Sequence, residues 1–238
     1  MVLTKDPTFA DGLGLQIQIR TKLVRFWSYI KSAAIRIGDD IFEVEGGVEQ
    51  DPKYWINLER NGPLTTIGGF PVKIVNVIRG TKHRQKVSYE IDLSSKYPGQ
   101  KIVIATFKEF VKVDVQNPSV EAFGNTVGLL GDYKTGDTLA RDGVTVIDNF
   151  RKLGNEWQVL PFEEMLFHVT EKPQYPQTCI EPEDARGIKR RRRRRLGEST
   201  ITAEDAENAC SKLKNPLDRK DCVYDILATQ DIEMVGAF

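Results

Sequence analysis

Apolar and polar residues alternate along most of the first half of this chain, and that alternation marks out its elements. Leu15-Gln16-Ile17-Gln18-Ile19-Arg20 has the period of two expected of a half-buried strand. Residues 72–78, 87–93, 101–107 and 110–115 repeat the pattern with β-branched and aromatic side chains. Ala34-Ile35-Arg36-Ile37 and Asp40-Ile41-Phe42-Glu43-Val44 flank Gly38-Asp39 and predict a hairpin. Gly at the first turn position supplies the positive φ of a type II′ turn. Short strands, short polar connections and no intervening helical pattern predict a mainly β chain built as an antiparallel β-sandwich. One face of each strand is expected to be buried and the other wet.

The pattern changes after residue 160. The sandwich is expected over 1–160. A Pro-containing segment over 161–182, with Pro161, Pro173, Pro176 and Pro182, is expected to wrap its edge. An exposed basic linker follows over 183–200, then a helical hairpin tail over 201–238. In the tail, Thr202 is suited to an N-cap, with Asp205 near the capping-box position. Ala206, Ala209, Cys210 and Leu213 fall on one helical face. Asn215-Pro216 is expected to stop that helix. Asp218 is expected to cap a second one, with Cys222, Val223, Ile226 and Leu227 as its apolar stripe. Cys210 late in one helix and Cys222 early in the next face each other in an antiparallel pair. A disulfide there closes a loop of about 13 residues, worth roughly 3 kcal/mol in the chain-entropy model. The alternative is two small buried hydrophobes. Cys179 is the leftover thiol of the three cysteines if Cys210 pairs with Cys222.

Charge and composition remove several classes of function. The 238 residues carry 34 basic and 34 acidic side chains, so no net field argues for nucleic acid or an anionic membrane as partner. No run of 18 apolar residues exists, so no helical membrane span is expected. His83 and His168 have no Cys or His at metal-ligand spacing and join no readable Ser/Cys-His-acid arrangement. No phosphate loop or dinucleotide fingerprint is present, and the chain is not expected to be an enzyme. The run Lys189, Arg190, Arg191, Arg192, Arg193, Arg194 and Arg195 admits four readings: a processing site for a basic-specific protease, a solvated linker, a binder of polyanions such as sulfated glycans, silica or nucleic acid, or a nuclear signal. Trp27, Trp55 and Trp157 are each read as core.

The segment with the most specific pattern is Gly128-Leu129-Leu130-Gly131-Asp132-Tyr133, then Gly136-Asp137, then Leu139-Ala140-Arg141-Asp142-Gly143, closed by Glu156-Trp157-Gln158-Val159. In this ordered combination it resembles the von Willebrand factor type D domain. Phe9-Ala10-Asp11-Gly12-Leu13-Gly14-Leu15, Ile19-Arg20-Thr21-Lys22 and Trp27-Ser28-Tyr29-Ile30 are similar to the disulfide-poor forms of bacteria and algae. Vertebrate members carry Cys where Leu130 stands. The likeness covers about residues 1–160, and the Cys-containing tail looks like an extension that follows the domain in algal proteins. The family opens with a Gly-Asp-Pro-His strand that has no counterpart here. The resemblance therefore implies an N-terminally truncated chain whose missing signal peptide carries no weight against secretion.

Type D domains commonly hold Ca²⁺ after the Gly-Leu-x-Gly strand, and Ca²⁺ takes six to eight oxygens. The resemblance thus makes Asp132 and Asp137 candidate ligands, together with a backbone carbonyl near Tyr133 or Thr135. Asp142 is a lesser candidate, since Arg-Asp-Gly also reads as a turn. Lys134 stands where the family has Asp or Asn, and the loop is about three residues shorter. The Lys134 ammonium opposes a divalent cation, or replaces it by pairing with Asp132 and Asp137. Gly131, Gly136 and Gly143 then serve turns, with the acids capping amides. Three expectations follow: an extracellular or cell-surface module for matrix assembly or adhesion, with proteins or glycans as partners; an accessory part of a larger secreted hydrolase or receptor; or an intracellular polyanion binder.

Overall fold

A computed structural model of the protein describes residues 1–24, 27–47, 53–78, 86–169 and 201–238. The contacts divide the chain into two compact units, 1–21 with 30–170, and 22–29 with 171–238. The first unit is an antiparallel β-sandwich.

One sheet has six strands in sequential order: β1 (Val2–Asp6), β2 (Leu15–Val24), β3 (Trp27–Ile37), β4 (Asp40–Glu45), β5 (Lys53–Ile56) and β6 (Glu59–Arg60). The other has five, in the order β11 (Phe110–Gln116), β10 (Lys101–Phe107), β9 (Lys86–Asp92), β8 (Phe70–Ile78) and β7 (Thr66–Ile67). Tight turns set the registers. Ile37 pairs with Asp40, and Gly38 alone of the two turn residues takes a positive φ, +62°. That is the first-position geometry expected of the Gly38-Asp39 turn. The β5–β6 turn places both Asn57 and Leu58 at positive φ, with Ile56 opposite Glu59.

Every second side chain of the two sheets meets in one core. Ile17, Ile19, Ile35, Ile37, Phe42 and Val44 come from the six-stranded sheet. Val72, Val87, Tyr89, Ile91, Ile102 and Ile104 come from the other. Phe9 lies among Phe70, Tyr97 and Phe123, with ring centroids 5.4–6.1 Å away at tilted angles. It projects from the turn α1 (Phe9–Gly12), where Ala10 and Asp11 take left-handed dihedrals. A second short helix, α2 (Val120–Phe123), buries Ala122 and Phe123.

Two expectations about the sandwich are corrected. Strand β1 lies ahead of the first strand expected from alternation, because Val2-Leu3-Thr4 is buried on both faces and shows no period of two. The outer face of the six-stranded sheet is also not simply wet. Gln18, Ala34 and Glu43 lie buried there, and Leu166 and Phe167 pack over Ala34 and Ile41. The described part of the Pro-containing segment, 161–169, therefore crosses a sheet face.

The second unit contains α4 (Ala203–Cys210), α5 (Pro216–Thr229) and a 3₁₀ turn at Ile232–Ala237. Before them in the chain stands α3 (Phe150–Glu156), which belongs to the first unit. Thr202 and Asp205 form a reciprocal capping box on α4. The expectation for Asn215-Pro216 is corrected: Asn215 caps α5 by accepting from the Leu217 N–H, and Pro216 opens it. Pro is tolerated in a first helical turn, where its missing N–H has no partner to lose. Asp218 then sits inside the first turn. Cys210 and Cys222 are joined by a disulfide, with Cα atoms 6.1 Å apart and both residues buried. Cys179, His83, Pro173, Pro176, Pro182 and the run Lys189 to Arg195 lie outside the described residues, as does the side chain of Trp27.

Candidate functional site

The glycine-rich segment is laid along the free side of β1. Lys5 and Val127 exchange both backbone hydrogen bonds, at 2.7 and 2.9 Å. Leu129 N–H then donates to Val2 O and Leu130 N–H to Leu3 O. The two chains approach so closely at Gly128 that a Cβ there would stand 2.6 Å from Leu3 O, and its φ is +140°. Only glycine fits. Gly131 repeats the constraint, with φ +80° and the Asp137 carbonyl 2.6 Å from a built Cβ. The positions of Gly128 and Gly131 thus follow from close backbone approaches.

Downstream, Arg141 ties the remaining motif residues together. Its backbone N–H donates to Glu156 Oε1 and its Nε to Glu156 O. Its two terminal nitrogens reach Glu163 Oε1 at 2.5 Å and Gln158 O at 2.6 Å. The guanidinium carbon stands 5.0 Å from the centre of the Trp157 ring. Trp157 is buried against Val2 and Leu153, and its indole N–H donates to Leu139 O at 2.9 Å. Trp55 is buried as well. Burial alone would raise the Glu163 carboxyl, but the Leu160 N–H and the Arg141 guanidinium outweigh it and hold the group below the usual carboxylate range.

The loop carrying Asp132 and Asp137 is closed by its own backbone. Asp132 N–H donates to Asp137 O and Gly136 N–H to Asp132 O, both at 2.8 Å. Asp132 Oδ1 accepts from the amides of Lys134 (2.6 Å) and Thr135 (3.2 Å), an Asx turn. The Lys134 ammonium donates to Asn125 Oδ1 at 3.1 Å, so the expected pairing with Asp132 and Asp137 gives way to a neutral partner. Tyr133 donates its hydroxyl proton to Pro118 O, which fixes the loop from the other side. Asp142 spends Oδ1 on the amides of Val144 and Thr145 and Oδ2 on the Thr145 hydroxyl. Those donors, the hydroxyl foremost, hold its carboxyl below the usual range.

Asp132 and Asp137 share one loop, Asp142 serves a separate turn, and Ca²⁺ needs six to eight oxygens. Among the described residues, no group of three His, Cys, Asp or Glu side chains is placed to hold a metal ion. No helix among them is long and apolar enough to cross a membrane. Position 130, where the resemblance sets a cysteine in other members, is a leucine side chain 61% exposed. Set against known proteins, the chain matches no family model and no curated protein.

Sequence reasoning missed one arrangement. His168 and Glu43 are 125 positions apart, yet Glu43 accepts from the His168 backbone N–H (2.7 Å) and shares a hydrogen bond with its ring Nδ1 (3.0 Å). Trp55 stacks on the imidazole at 3.8 Å. An apolar–polar alternation containing a glutamate reads as a wet face, so Glu43 gave no local sign of burial.

Proposed function

We propose that the chain is a non-enzymatic extracellular or cell-surface module, similar to type D domains, that acts in matrix assembly or adhesion through its sandwich surface. The observation that carries this reading is how the signature residues are used. Gly128, Gly131, Arg141 and Trp157 are committed to one backbone crossing and its buttress. Asp132 and Asp142 cap amides of their own turns. A segment that spends its specific residues on shape suits a binding scaffold better than a reaction centre. The Cys210–Cys222 disulfide supports an oxidising compartment. Leucine at position 130 leaves this loop without a thiol for covalent assembly, so partners, proteins or glycans, would be held non-covalently.

The test has two arms. The natural protein is localised by cell fractionation with thiol labelling, and the purified chain is titrated against extracellular matrix and an array of neutral and sulfated glycans. Recovery outside the cell with Cys210 and Cys222 oxidised, together with saturable binding, is expected. A wholly intracellular, reduced protein would overturn the assignment.

Calcium binding at Asp132 and Asp137 is the second reading, favoured by the two carboxylates sharing one backbone-closed loop. A ligand bound only to the native state must stabilise it. On this reading chelator lowers the thermal midpoint by several degrees and Ca²⁺ restores it; an unchanged midpoint overturns it.

A further inference from the structure

The outer face of the six-stranded sheet holds a strap, residues 164–168, through side chains that read its backbone. The Gln18 amide, fully buried, donates to Glu164 O at 2.8 Å and accepts from Leu166 N–H at 3.1 Å. Glu43, whose side chain is 1% exposed, accepts from the His168 backbone N–H and shares a hydrogen bond with the ring Nδ1. Arg20 donates to Met165 Sδ and Val169 O and lies over the Phe167 ring. Arg36 bridges Glu164 and Gln16. Leu166 and Phe167 fill the space over Ala34 and Ile41.

We propose that this strap is a proton-operated clasp, closed at mildly acidic pH and progressively released as the pH rises, with the buried Glu43 carboxyl as its titrating element. Closure takes a carboxylate out of water, and the cost of doing so is least when the pair is neutral overall. One shared proton, on either partner, achieves that. With no proton the pair carries a buried negative charge. Open, both groups are solvated and no such preference exists. Closing therefore takes up a proton at the buried carboxyl. The other charges facing the pair do not reverse the sign. Arg20 favours the Glu43 carboxylate, yet burial dominates and pushes this carboxyl above its ordinary range. Glu164 pairs with Arg36, and Glu45, two residues along the strand from Glu43, pairs with Lys31. The Trp55 ring presses on the imidazole from its flat face and supplies no acceptor of its own there.

The experiment is amide hydrogen exchange on the intact chain, following Leu166 and His168 from pH 5.5 to 8 after correction for intrinsic exchange chemistry. Uptake of one proton on closing sets a limit of about tenfold in the opening equilibrium per pH unit. Protection of both amides is expected to fall together as the pH rises, approaching that slope. Glu43→Gln keeps an acceptor for the His168 N–H but cannot carry the charge, and is expected to flatten the pH dependence. If that variant fails to fold, Glu43→Met, which fills the buried site without an ionisable group, serves in its place with the same expectation for the Leu166 amide. Protection that is independent of pH in the unaltered chain, or a slope that survives in the variant, overturns the proposal.

Discussion

Replacing Arg141 by Met tests whether the signature segment is a folding device. Met keeps the length and much of the apolar stem, so the change isolates the guanidinium. Three side-chain hydrogen bonds are lost, to Glu156 O, Gln158 O and Glu163 Oε1, together with the face of Trp157. A hydrogen bond is worth about 1 kcal/mol net, and one to a charged group about 1.5–3. A cation over an indole adds about 0.5–2 kcal/mol. These terms share atoms and do not add fully, and both Arg141 and Glu163 retain some solvent contact, 25% and 16% of their side chains. A loss of about 3 kcal/mol is the resulting expectation. In a unit of this size that is roughly 6–12 °C in the thermal midpoint. Chemical denaturation followed by Trp fluorescence measures it, with an unchanged m-value as the check that the unfolded states match.

The pH dependence supplies an internal control. The folded-state carboxyl of Glu163 lies below its unfolded value, so its contribution is present above the unfolded value and lost as the pH falls through the folded one. The penalty of Arg141→Met should therefore shrink below about pH 4. A penalty under about 0.5 kcal/mol at neutral pH, which is the range of surface substitutions away from structural features, would refute the reasoning.

Two further outcomes are open to measurement. Reduction of Cys210–Cys222, or the double change to Ala, should destabilise the helical part of the second unit by roughly 3 kcal/mol, read from amide exchange in α4 and α5. Tyr89→Phe should leave stability unchanged or slightly raise it in denaturant titration, because the buried Tyr89 hydroxyl has no hydrogen-bond partner among the described residues and its removal leaves no acceptor among them orphaned.

How much of this was legible depends on where each signal resides. β2, β4 and β8 to β11 announce themselves because a strand with one buried face repeats every second residue, and the Gly38 turn does so because its dihedral selects glycine. β1 was silent, since burial on both faces erases the period. Asn215-Pro216 carried its signal in plain view, but an Asn–Pro pair fits the end of one helix and the start of the next, and only the Leu217 amide decides between them. In the signature segment the glycines and Trp157 were readable. The destination of the Lys134 ammonium was not, because Asn125 is brought to it by the fold. The strap was the least legible element. Its recognition is written in Gln18 and Glu43, polar residues on an alternating strand that look solvated until a distant stretch of chain covers them.

The crossing at Gly128 also bears on solubility. Strand β1 is the outermost member of its sheet, and an outermost strand offers a row of amides and carbonyls to any extended chain that meets it. Here residues 127–130 of the same molecule already occupy that row. The glycine that permits so close an approach therefore acts as a seal against edge-to-edge association between molecules. A side chain at position 128 would do more than strain the fold: it would expose the border from which a sheet can grow from one molecule into the next.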